Sequence, residues 1–154
     1  MMAADKEPLS REKSALFIEE AIRKAAKKPS GELTGADLDR VTELHCVYGQ
    51  IIEGRGVEKL TKLKRLFLHN NQLSDVKSLG GLNQLTVLSL CSNRLTNLEG
   101  IEQLEQLKAL RVGDNRIADM KGLEKLTQLT ILNIGENQLT VLPEQIRQLR
   151  QLFG

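Results

Sequence analysis

The side chains able to do chemistry in this sequence are few: two histidines (His45, His69), two cysteines (Cys46, Cys91), one tyrosine (Tyr48) and three phenylalanines, Phe67 among them. A zinc site would take about four thiolate or imidazole ligands, usually paired locally as C-x₂₋₄-C or H-x₃₋₅-H. Neither spacing occurs. A Cys91–His69 pair could activate a thiol, but such a nucleophile needs a third, orienting group and a pocket that excludes water. Gly54-Arg55-Gly56 lacks the glycine and lysine that complete a phosphate-binding loop. No catalytic residue, metal or cofactor is therefore expected. Recognition is the remaining chemistry, since aromatics beside arginine are the residue types that dominate interface hot spots. Tyr48 and Phe67, with Arg65 and Arg111, are of that type.

Whatever these residues do depends on what holds them. With 154 residues, 40% hydrophobic and 27% charged, the chain is of one-domain size and ordinary globular composition. Only 3% is aromatic, so the core must be aliphatic. The net charge of +2 gives no electrostatic case for nucleic acid. Two cysteines make no secreted-type disulfide framework. Residues 1–8 lack the apolar stretch of a signal peptide, and no run has the length of a membrane span. A cytoplasmic protein is expected, or a fragment whose targeting segment was removed.

The organising feature is a repeat. Leu63, Leu85, Leu107 and Leu129 are each 22 residues apart, and the same step links Leu66, Leu88, Leu110 and Leu132. It also links Leu68, Leu90, Val112 and Ile134, then Asn71, Asn93, Asn115 and Asn137. Each unit reads L-x-x-L-x-L-x-x-N-x-L, closed by Leu73, Leu95, Ile117 or Leu139. One step earlier, Val41, Leu44, Cys46 and Ile51 form a degenerate first copy with Gly49 in the asparagine slot.

Period-two leucines point to one face of a short strand, and a stack of such strands buries that face as a continuous core. The asparagine carries a donor and an acceptor for the backbone groups left at the bend after each strand. Gly49 cannot do this, so the first bend is expected to be looser or to rely on water. The return half of each unit has apolar residues about every third position: Val76, Leu79, Leu82; Leu98, Ile101, Leu104; Met120, Leu123, Leu126; Leu142, Ile146, Leu149. That spacing suits 3₁₀ turns. Pro143 shifts the last set by one residue.

These residues resemble those of leucine-rich repeat proteins, specifically the 22-residue subclass of bacterial internalins and of the eukaryotic phosphatase-regulating subunit. The resemblance spans residues 41–152. Leu142-Pro143-Glu144-Gln145-Ile146 departs from the subclass towards the L-P-x-x-I type of other bacterial repeats. The resemblance implies an α/β right-handed solenoid, a parallel concave sheet and a non-enzymatic protein-interaction role. Internalins acting on host receptors carry a signal peptide and usually further anchoring segments, so that role is not carried over.

Both ends of a solenoid need covering. Phe17, Ile18, Ala21, Ile22 and Ala25 follow helical spacing between Ser14 and Lys27, with Ser10 or Ser14 as N-cap and Pro29-Ser30-Gly31 as terminator. Arg23, Lys24, Lys27 and Lys28 read as a solvated helix end. Thr34-Gly35-Ala36-Asp37 is a T-x-x-D capping signal for a second, short helix. This order resembles an internalin-type helical cap. The expected organisation is a disordered start plus cap over residues 1–40 and about five repeats over residues 41–154. At the other end Leu152-Phe153 would open another strand before the sequence stops. A truncated array, a homodimer through that edge, and loose packing of Phe153 remain alternatives.

The outward strand positions fall in columns: Glu43, Arg65, Val87, Ala109, Ile131; His45, Phe67, Ser89, Arg111, Asn133; Val47, His69, Cys91, Gly113, Gly135; Tyr48, Asn70, Ser92, Asp114, Glu136. The expected partner-binding residues are Tyr48, Arg65, Phe67, His69, Ser89, Arg111 and Asn133. Five short strands offer less than the ~800 Å² per partner of a standard interface. The partner is then a loop, peptide or single helix, unless the native array is longer, which the open end favours. The alternative role is a self-associating or scaffolding arm of a larger multidomain protein.

Overall fold

The computed structural model describes residues 7–141. The first six residues, the convex set Leu142, Ile146 and Leu149, the proline at 143 and the Leu152-Phe153 edge lie outside the described residues. Five strands, β1 (Glu43–His45), β2 (Arg65–Phe67), β3 (Val87–Ser89), β4 (Ala109–Arg111) and β5 (Ile131–Asn133), form one parallel sheet in sequence order. Their register follows the repeat, with Leu44, Leu66, Leu88, Leu110 and Leu132 aligned across the sheet. On the opposite side the chain returns through 3₁₀ turns at Val57–Lys59, Lys77–Leu79, Ile101–Gln103 and Leu123–Lys125. The convex residues Val76, Leu79 and Leu82, and their equivalents through Leu126, are all buried with the strand leucines in one aliphatic core.

Three of the turns share a device. Gly56, Gly100 and Gly122 sit at φ of 108°, 100° and 100°, a region that glycine enters without steric cost. Each N–H donates to the carboxylate two residues on, Glu58, Glu102 or Glu124, at 2.6, 2.9 and 2.8 Å. Gly56 of the Gly54-Arg55-Gly56 stretch is thus a turn glycine.

The asparagines reach back one repeat. Asn93 Oδ1 accepts from the Leu73 N–H at 3.0 Å. Its Nδ2 donates to the Leu68, Leu90 and Cys91 carbonyls at 3.0, 2.9 and 3.3 Å. Asn71, Asn115 and Asn137 repeat the pattern. Because each asparagine serves the bend before it, the first bend needs none of its own: Asn71 Oδ1 accepts from both Gly49 and Ile51, at 3.0 and 3.3 Å. The expectation of a loose first bend is therefore corrected.

Gly49 has another reason to be glycine. A Cβ there would lie 2.6 Å from Cε1 of Phe17. The missing side chain is the seat of the cap helix α1 (Arg11–Ala26). Ser10 is the N-cap, accepting from the Lys13 N–H at 3.2 Å. The helix stops earlier than the Pro-Ser-Gly break, at Lys27, which adopts φ 56° and donates its N–H to the Arg23 and Lys24 carbonyls. Its buried face is Ser14, Ile18, Ile22 and Ala26. Ala25, expected in that stripe, is exposed, while Phe17 and Ala21 are half-buried. The rotated stripe goes with the docking of Ser14, whose hydroxyl accepts from the Ile52 N–H at 3.2 Å.

The second helix, α2 (Gly35–Asp39), opens with the expected capping box between Thr34 and Asp37. The Thr34 hydrogen bonds hold the Asp37 carboxyl below its usual range, and Lys28 and Arg40 add to this. Gly49→Ala is expected to cost about 1–3 kcal/mol by overpacking against Phe17. In a Phe17→Ala background that cost should largely vanish, which a double-mutant cycle by urea denaturation reads directly. Equal costs in both backgrounds would rule out the seat.

Candidate protein-interaction site on the concave sheet

The alternating burial of each strand leaves its first and third residues on the concave side. Parallel register then brings residues 22 apart in sequence side by side, so the columns read from the sequence become physical rows. At the N-terminal end these rows form a ring cluster. Phe67 stacks on His45 with centroids 4.4 Å apart and planes at 12°. His69 meets Phe67 edge-on at 6.4 Å and Tyr48 edge-on at 6.2 Å. The Arg65 guanidinium carbon stands 5.5 Å from the Phe67 centroid, within cation–π range.

Electrostatics tie the cluster together. Glu43 accepts from His45 Nε2 at 2.7 Å and pairs with Arg65 at 3.1 Å. The histidine hydrogen bond, with Arg65 beside it, lowers the Glu43 carboxyl below its ordinary value. Burial lowers the His69 pKa, and the neighbouring His45 adds to that effect. Both effects favour the uncharged imidazole, a form suited to apolar and hydrogen-bonding contact.

Tyr48 is the most exposed ring of the face, at 67%. It sits at φ 55°, and the equivalent Asn70, Ser92, Asp114 and Glu136 have φ of 58°, 56°, 53° and 53°. This left-handed step turns the next residue, the asparagine or Gly49, inward. It is costly for a bulky side chain, yet it holds the phenol clear of the sheet.

The expected site residues divide into three groups. Tyr48, Arg65, Phe67 and His69 are brought together. Ser89 is buried, at 6% exposed, with its hydroxyl 3.4 Å from His69 Nδ1, so it backs the imidazole and offers little surface. Arg111 and Asn133 stay apart, with no hydrogen bond, ion pair or ring contact to the cluster among the described residues. Asn133 Oδ1 accepts from the Gly135 N–H at 3.2 Å, and Arg111 is half-buried. Sequence reasoning left out His45 and Glu43, although they occupy the same columns one period upstream of Phe67 and Arg65. It also left out Ile131, which is 48% exposed beyond Val87 and Ala109. Cys46 is buried with its thiol pushed up to about 12, while Cys91 is partly exposed and its thiol is also raised by burial. Neither is an activated nucleophile.

The family model described as leucine-rich repeats (two copies) matches residues 61–103 and 83–125, and that of the single leucine-rich repeat matches residues 128–149. The chain is a leucine-rich repeat protein. Its solenoid and helical cap are internalin-like. The internalin InlF of Listeria monocytogenes is similar over 92% of this chain and 48% of its own, at 25% identity and a TM-score of 0.79. A leucine-rich repeat protein of Leptospira interrogans is similar over 80% of this chain and 33% of its own, at 29% identity and a TM-score of 0.59. The functional domain of InlJ from Listeria monocytogenes shares the fold, at 22% identity and a TM-score of 0.69 over 96% of this chain and 38% of its own. The leucine-rich repeat chain thus spans about half of InlF and less of the other two. No curated protein matches it. Among the described residues no helix is long and apolar enough to cross a membrane. Leucine-rich repeat domains are in general protein-interaction folds.

Proposed function

We propose that this leucine-rich repeat protein is a non-enzymatic module that binds a loop, peptide or single helix of a partner protein on its concave face. The observation that carries the reading is the exposed Tyr48 standing beside the His45–Phe67–His69 ring cluster. Rings already packed against one another are rigid, so little conformational freedom is lost when a partner covers them. Arg65 and Arg111 supply the charged positions, and Asn133 the far polar one. Two free thiols fit the expected cytoplasmic setting. The share of InlF that this chain covers, 48%, favours a second reading as the recognition arm of a longer protein. Self-association through Leu152-Phe153 lies outside the described residues.

The test is a peptide-display selection against the wild-type protein, repeated with Phe67→Ala/Arg111→Ala. Both side chains leave the strand leucines untouched, so the thermal melt should shift little. Capture of the selected peptides is expected to fall at least about a hundredfold, the scale of losing a hot spot of ~2–3 kcal/mol. Capture undiminished in a folded double variant would overturn the concave-face reading.

A further inference from the structure

A solenoid sheet has a first strand with nothing before it. β1 pairs with β2 on one side only. The Thr42 carbonyl accepts from the Arg65 N–H, and the Cys46 N–H donates to the Phe67 carbonyl. The even-numbered residues of this segment therefore address β2. Alternate residues of a strand address opposite edges, so Glu43 and His45 turn both N–H and C=O the other way. No backbone hydrogen bond of the described chain takes them up.

On that side stands α1, whose Ile18 and Ile22 pack in one core cluster with Leu44 and Cys46. Between helix and strand edge runs a groove of about 780 Å³ along the whole strand, from Val41 to Val47. Its helix wall includes Phe17 and Ala21, half-buried at the margin of the core, and the exposed Ala25. The helix runs opposite to β1. Phe17 lies by Gly49 past the strand's end, while Arg40 just before the strand donates to the Ala26 carbonyl at 3.4 Å. At this second end the rim is basic. Lys24 makes no ion pair among the described residues, and Arg40, its side chain 63% exposed, pairs with Asp37 through the same Nη2 that reaches Ala26. Glu20 is the acidic residue on the helix wall, nearer the middle.

An edge strand with unpaired main-chain groups is a template for another strand. Here the groove has room for a backbone and alternate side chains, with a charge fixed at one end. We propose that this groove takes an extended segment of a partner protein by strand addition. That segment pairs with the Glu43 and His45 main chain and lays apolar side chains on Phe17 and Ala21. It places an acidic residue between Lys24 and Arg40. Main-chain pairing supplies affinity and the alternate side chains supply selectivity. The site shares the Glu43 and His45 main chain with the ring cluster, but none of its Phe67, His69 or Tyr48 rings, and stands whether or not the concave face binds.

The probe is a short blocked peptide alternating valine and threonine and ending in glutamate, titrated into isotope-labelled full-length protein. The expected result is shifted Glu43 and His45 amide resonances with slowed amide exchange at both. The same peptide N-methylated at alternate residues should fail to bind. Lys24→Glu should weaken binding about tenfold, the scale of one charge pair. Phe67→Ala/Arg111→Ala should bind the peptide as the wild type does. Shifts confined to Phe67 and its neighbours, equal binding of the N-methylated peptide, or no loss with Lys24→Glu would each overturn the proposal. Concentration-dependent protection of the Glu43 and His45 amides in the free protein would also overturn it, assigning the edge to a second copy of this chain.

Discussion

Asn93→Asp should be among the most damaging single substitutions in this protein, at about 3–5 kcal/mol of lost stability. Asn93 is 9% exposed and joins the Leu73 N–H to three carbonyls, those of Leu68, Leu90 and Cys91. Aspartate keeps the acceptor and replaces the donor with a charged oxygen facing those carbonyls. Burial and like dipoles both raise the folded-state pKa of such a group. The sign then follows: the charge penalty is full above the raised folded-state pKa, fades as pH falls through it, and is gone below the unfolded carboxylate pKa of about 3.9. Asn93→Leu, which loses all four bonds without a charge, should be destabilised to a similar degree with no such pH dependence. Urea midpoints of the three proteins at pH 7 and at low pH measure this. A mild Asn93→Asp variant, or one whose deficit is the same at both pH values, would mean that water serves the bend.

The second large effect is expected at the cap. Ile18 is 0% and Ile22 3% exposed, and both cover the end of the core that Val41, Leu44 and Cys46 present. Each truncation to alanine costs about 2–5 kcal/mol. The double variant loses an amount comparable with the whole stability of a marginal domain, about 5–15 kcal/mol. The thiols report which part opens. In the wild type Cys91 should label with a thiol reagent and Cys46 should not, because Cys46 is sealed beneath the first repeat. Ile18→Ala/Ile22→Ala should make Cys46 label at denaturant concentrations that leave β3 to β5 protected from amide exchange. Labelling of Cys46 only together with global unfolding would mean that cap and repeats form one cooperative unit.

The sequence by itself determined the repeat, its register and its inside-outside division. A 22-residue period leaves one way to align Leu44, Leu66, Leu88, Leu110 and Leu132, and side-chain alternation then assigns every strand residue to a face. The 3₁₀ return and the Thr34–Asp37 capping box were legible for the same reason, since both depend on neighbours a few residues away.

Contacts between repeats and cap were decided by tertiary structure. That Asn71 serves the bend before it, so that Gly49 is free to seat Phe17, depends on groups 20 and 32 residues apart meeting across the cap junction. The rotation of α1 that buries Ser14 and Ala26 and exposes Ala25 goes with the burial of Ile18 and Ile22 and the Ser14 hydrogen bond to Ile52. Column position placed Ser89 and Phe67 in the same row, but packing buried the serine under His69 and left the ring stacked on His45. A period in sequence fixes direction, because strand geometry is local. Exposure and partnership depend on the size and shape of whatever the chain brings alongside, and that is known only once the repeats are stacked.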